Sequence, residues 1–126
     1  MLVLDSGGIS HLAKRTQDAA AAIQVFVRDG LWPPLVPSIV LVESLTGRQR
    51  TDANVNRLLK TCDVVEELPE ALARRAAELR FRARRGSAVD AVLVATAELD
   101  GTVLTGDVDD LKALATHAQG VKIQAV

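Results

Sequence analysis

Leu2-Val3-Leu4-Asp5-Ser6-Gly7-Gly8-Ile9, at the start of the chain, and Val103-Leu104-Thr105-Gly106-Asp107-Val108-Asp109-Asp110-Leu111, near its end, decide the fold. In each, a short continuous apolar run meets an aspartate at a glycine-containing turn, and a helical stretch follows. Consecutive apolar residues need cover on both faces, which is the condition of a strand inside a parallel sheet. Open α/β sheets bind ligands beyond the carboxyl ends of their strands. Asp5 and Asp107 each follow such a strand directly, so they are expected at one edge.

The same pattern repeats between these two stretches. Strands are expected at residues 2–4, 35–36, 64–65, 103–104 and 121–126. Helices are expected at residues 9–14, 19–28, 39–45, 51–61, 69–85, 88–99 and from 107 to about 116. The breaks have ordinary causes. Pro33-Pro34 stops a helix, Ser38 and Ser87 cap the next ones, and Asp100-Gly101 turns the chain. Short apolar strands alternating with helices imply an α/β three-layer sandwich. Its parallel sheet has four to five short strands, with helices on both faces and right-handed crossovers. No repeat or linker interrupts residues 1–126, which read as a single domain.

Composition excludes several function classes. Aromatics are 2% of the chain, with no Tyr, so a base-stacking platform is not available. A net charge of −1 argues against a general nucleic-acid coat. The basic residues are nonetheless uneven: Arg74, Arg75, Arg80, Arg82, Arg84 and Arg85 fall on one expected helix. They read either as a solvated face or as a phosphate-contacting one. Cys62 has no disulfide partner and reads as a small buried hydrophobe. The absence of a disulfide pattern, a leader pattern or a membrane-length apolar run sets a cytoplasmic expectation, with no membrane association.

Each acid has a bland explanation. Asp5 caps the first helix, Asp90 completes a capping box with Ser87, and Asp107 caps its helix with Asp110 three residues on. Glu43 resists this account. It lies beyond capping reach of Ser38 and follows Ile39-Val40-Leu41-Val42, so a mostly buried helix is expected around it, where an unpaired carboxylate is costly. Taken together, Asp5, Glu43, Asp90 and Asp107 border core-type sequence at four places and point to one acidic cluster. Clustered carboxylates repel one another unless a cation is present, and hard oxygen donors suit Mg²⁺ or Mn²⁺. His11 and His117 lack zinc-ligand spacing and read as a helix-surface and a helix-terminal residue.

These residues resemble the PIN-domain family, and within it the VapC-type toxins of bacterial type II toxin–antitoxin pairs. Val3-Leu4-Asp5-Ser6 looks like the first family motif and Pro37-Ser38-Ile39-Val40-Leu41-Val42-Glu43 like the second. Asp90-Ala91-Val92-Leu93-Val94-Ala95-Thr96-Ala97 looks like the third and Leu104-Thr105-Gly106-Asp107-Val108-Asp109-Asp110-Leu111 like the fourth. Four motifs in order over nearly the whole chain are far more specific than any one. The departure is Gly7-Gly8, which is expected to loosen the first turn.

The resemblance implies a metal-dependent endoribonuclease using one or two Mg²⁺ or Mn²⁺ ions. Asp5, Asp90 and Asp107 would be metal ligands, direct or through water, and Glu43 would hold a water or help a second ion. Ser6 and Thr105 would orient carboxylates or waters, with Asp110 a further acid at the margin. Arg80, Arg82, Arg84 and Arg85 would contact the RNA backbone. The implied partners are a cognate VapB-type antitoxin, an RNA substrate and a second copy in a homodimer. A catalytically silent PIN-like module that binds RNA or protein is the alternative, although such a module would normally have lost one of the acids. A phosphoryl-accepting receiver needs an acidic pair after the first strand, and a haloacid-dehalogenase-type phosphatase needs an Asp where Gly7 stands.

Overall fold

The computed structural model describes residues 1–126. The elements are β1 (Leu2–Leu4), α1 (Ser6–Ala13), α2 (Gln17–Arg28), β2 (Leu35–Pro37), α3 (Val40–Ser44) and α4 (Ala53–Leu59). After them come β3 (Asp63–Val65), α5 (Glu70–Ala83), α6 (Ala88–Ala97), β4 (Thr102–Thr105), α7 (Val108–Ala115) and β5 (Lys122–Ala125). The five strands form one parallel sheet in the order β3-β2-β1-β4-β5. The register pairs Val3 with Val103 and Leu4 with Leu104. The first and fourth strands, far apart in sequence, are therefore central neighbours, and their carboxyl ends lie side by side.

Helices cover both faces. α1 gathers α2, α3 and α4, while α5, α6 and α7 pack on one another, and both α1 and α6 rest on β1 and β4. That double cover is why Leu2, Val3 and Leu4 are all buried on consecutive positions. α6 is buried along Ala91–Ala95 and at Ala97, and it packs against β1 and β4. The outer strand β5 differs: only Ile123 is half-buried and its other residues are exposed.

Three expectations needed correction. The first helix begins at Ser6 rather than Ile9, so Gly7-Gly8 are helical and do not loosen a turn. A Cβ on Gly8 would stand 2.6 Å from the Leu104 carbonyl oxygen, and one on Gly7 would stand 2.6 Å from the Gly106 nitrogen. Only glycine lets α1 approach the end of β4 this closely. The expected helix at 39–45 is a five-residue turn of helix on the surface, with Val40 buried but Ile39 and Val42 exposed. The long basic helix, expected through residue 85, ends at Ala83, and Arg84 closes it in a left-handed conformation at φ 55°. Cys62 is half-buried, its thiol set against the Leu58 carbonyl oxygen, and burial pushes its pKa up to about 11.

Candidate metal centre

Asp5 leaves β1 and caps α1. Its Oδ1 accepts the Gly8 N–H at 2.7 Å, and its Oδ2 accepts the Thr105 hydroxyl. Thr105 is the last residue of β4 and is fully buried. Its Oγ1 in turn accepts the Asp107 N–H at 2.7 Å. A hydrogen-bonded chain, Asp5–Thr105–Asp107, thus ties the ends of the two central strands together. Asp5 is only 6% exposed, and both its oxygens are engaged inside the protein.

Asp107 stands at the N-cap position of α7, yet its side chain makes no capping hydrogen bond. Asp110 lies one helical turn later, on the same side. Asp90 does close its capping box: the Ser87 hydroxyl accepts the Asp90 N–H at 3.0 Å, and Asp90 Oδ2 accepts the Ser87 N–H at 3.1 Å. Even so, Asp90, Asp107 and Asp110 bring one carboxylate oxygen each to within 4.8 Å of one another. Although Asp107 is exposed, desolvation by its surroundings, followed by the charges of Asp110 and Asp90, holds its pKa above the usual carboxylate value.

The sequence-derived set is thus divided. Asp90 and Asp107 meet, and Asp110, a marginal candidate by sequence, joins them. Asp5 sits beside them through Thr105 but turns its oxygens inward. Glu43 is exposed on α3, so the expectation of a largely buried helix around it was wrong: only Val40 of that short helix is buried, and Val42 and Glu43 are in solvent. α3 packs on α1, the helix that Asp5 caps. Ser6 is half-buried at the first turn of α1. Asp110 carried a local signal, its three-residue spacing from Asp107, but that spacing also reads as a cap.

The arginines of α5 and its end are mostly engaged. Arg74 pairs with Glu70, Arg82 with Glu78, and Arg75 with Glu98 and Glu78. Arg80 donates to the Gly86 carbonyl at 3.2 Å, and Arg85 to Asp110 at 2.7 Å. Arg84 ends the helix with an exposed side chain.

Three carboxylates converging with no lysine or histidine among them form a hard-oxygen donor set. That chemistry fits Mg²⁺ or Mn²⁺, which take oxygen ligands and retain waters. An acidic cluster of this kind, at the carboxyl edge of a parallel sheet, is a candidate metal centre.

The chain belongs to the PIN domain family, which it matches over residues 2–116. PIN domains are generally nucleases. The structure resembles VapBC2 from Rickettsia felis bound to a DNA fragment from its promoter, with a TM-score of 0.71 at 12% identity, covering 99% of this chain and 98% of that one. It also resembles FitAB bound to an IR36 DNA fragment, with a TM-score of 0.65 at 19% identity, covering 99% and 94%. FitAcB from Neisseria gonorrhoeae gives a TM-score of 0.63 at 19% identity, covering 98% and 96%. At these identities the likeness speaks for the fold. No curated protein sequence matches the chain. No helix is long and apolar enough to cross a membrane.

Proposed function

We propose that the chain is a metal-dependent endoribonuclease of the VapC toxin type, acting as one domain across residues 1–126 in the cytoplasm and neutralised by a cognate antitoxin. The observation that carries this reading is the convergence of Asp90, Asp107 and Asp110 at the carboxyl edge of a PIN fold. Those three carboxylates would hold one or two Mg²⁺ or Mn²⁺ ions. When bound there, the metal supplies charge neutralisation and Lewis acidity toward the scissile phosphate.

The remaining roles follow from placement. Asp5 holds Thr105, and Thr105 holds the turn that presents Asp107. Asp5 thereby supports the cluster from behind, with ligation through water as its further role. Glu43, exposed on α3, would orient a water, and Ser6 lies beside Asp5 at the first turn of α1. Hydrolysis adds the water oxygen to phosphorus and breaks the bond to the 3′ oxygen. The products carry a 5′-phosphate and a 3′-hydroxyl. Arg80 and Arg82 are partly committed to Gly86 and Glu78, so Arg84 is the member of that group best exposed for an RNA phosphate.

The resemblance to VapBC2 and FitAB supports an antitoxin partner, and the family resemblance supports a homodimer. The test incubates purified protein with total RNA, with and without Mg²⁺ or Mn²⁺, beside Asp107→Asn and Asp90→Asn. Metal-dependent cleavage lost in both variants is the expected result. Identical RNA profiles in every lane would replace this reading with the catalytically silent binding module.

A further inference from the structure

Arg85 is the cation that the fold sets against the acidic cluster. Its Nε donates to Asp110 Oδ1 at 2.7 Å. Its neighbours hold it in position. Arg84 closes α5 in the left-handed region, and its N–H donates to the Arg80 carbonyl at 3.0 Å. The Arg80 guanidinium reaches across to the Gly86 carbonyl. Ser87 then opens α6 through its reciprocal bonds with Asp90. The connection between α5 and α6 is pinned on both sides, and one pin is Asp90, itself a member of the cluster. The hydrogen bond to Asp110 first, and then the charges of Asp110, Asp109 and Asp107, push the Arg85 pKa above its ordinary value, so the guanidinium is a fixed cation.

We propose that Arg85 is a built-in counter-ion of the cluster, which competes with a divalent cation for Asp110 and so sets how tightly that cation is held. The inference rests on the metal-site reading above. One positive charge beside three carboxylates offsets their repulsion, so the cluster stays assembled without metal. The same charge repels a second cation and occupies an oxygen that the cation would use. A surface ion pair is weak and exchangeable, so the divalent ion displaces the guanidinium without disturbing the fold. The opposite role, Arg85 holding Asp110 ready for the ion, predicts the opposite change in affinity.

The experiment titrates Mn²⁺ into the full chain by calorimetry and by the electron paramagnetic resonance signal of free Mn²⁺. It compares the unaltered protein with Arg85→Gln and Arg85→Lys. Arg85→Gln is expected to bind Mn²⁺ about three- to tenfold more tightly, a gap that narrows as salt rises from about 0.05 M to about 0.5 M. Arg85→Lys keeps the charge and stays near the unaltered protein. In chelator, Arg85→Gln melts slightly lower, and saturating Mn²⁺ closes that difference. Arg85 is more than half exposed, so circular dichroism is expected to show an intact fold in both variants. Equal or weaker Mn²⁺ binding by Arg85→Gln, with binding by the unaltered protein, overturns the counter-ion role alone. No Mn²⁺ binding by any form overturns the metal-site reading and this inference together.

Discussion

Replacing Thr105 with valine removes one hydroxyl and leaves the shape of a fully buried side chain almost unchanged. That hydroxyl donates to Asp5 Oδ2 and accepts from the Asp107 N–H. The first bond goes to a charged group and is worth about 1.5–3 kcal/mol, and the second about 0.5–1.5 kcal/mol. The added methyl returns at most about 0.8 kcal/mol of burial. The net cost is therefore about 1.2–3.7 kcal/mol. A chain of 126 residues has an unfolding entropy that converts 1 kcal/mol to about 4 °C, so the midpoint is expected to fall by about 5–15 °C. Thr105→Ser keeps both bonds and loses only a methyl, for about 1 kcal/mol and about 4 °C. The assay is thermal unfolding by circular dichroism or calorimetry at pH 7 in chelator, which removes any contribution from metal. The expected order of stability is threonine, then serine, then valine. A valine variant within about 2 °C of the unaltered protein, or more stable than the serine variant, would refute the claim that this hydroxyl joins the two strand ends.

Further outcomes follow from the same geometry. Because Asp107 has a raised pKa, its ionised form is disfavoured in the fold. Its contribution opposes folding above that raised value and is relieved as pH falls through it toward 3.8. Asp107→Asn is therefore expected to melt slightly higher than the unaltered protein in chelator at pH 7, and to lose the gain of about 2.7 kcal/mol that Mg²⁺ at a hundred times its dissociation constant gives, both read by calorimetry. Arg75 forms a two-bond pair with Glu98 and holds the Glu98 carboxyl below its ordinary value of 4.5. That stability is present above 4.5 and is lost as pH falls through the lowered value, so Arg75→Ala is expected to cost about 1–3 kcal/mol at pH 7 and much less at pH 2 in denaturant titrations. Gly8→Ala drives a methyl against the Leu104 carbonyl, for a cost of about 1–3 kcal/mol, whereas a Cβ on Gly106 meets its nearest atom at an ordinary 3.5 Å; equal midpoints for the two variants would contradict the close approach of α1 to β4.

Much of the architecture was legible because its causes are local. Continuous apolar runs such as Val3-Leu4 and Val103-Leu104 require cover on both faces, and that requirement alone implies parallel strands flanked by helices. The capping box at Ser87 and Asp90 forms as its spacing implies. Boundaries failed where a distant element decided them. The start of α1 at Ser6 depends on glycines that fit against Leu104 and Gly106, residues about a hundred positions away.

The candidate site divides along the same line. Sequence by itself determined that acids follow the central strands, since an aspartate directly after a buried strand must emerge at the carboxyl edge. Only the tertiary structure decided which carboxylates converge. Asp5 turns inward because Thr105, on the neighbouring strand, donates to it. Glu43 stays in solvent because α3 is a five-residue helix with only Val40 buried. Asp110 joins Asp90 and Asp107 because α6 and α7 pack side by side, and Arg85 reaches it from the end of α5. The partner of a carboxylate is a neighbour in space, and for these acids most of those neighbours are remote in the chain.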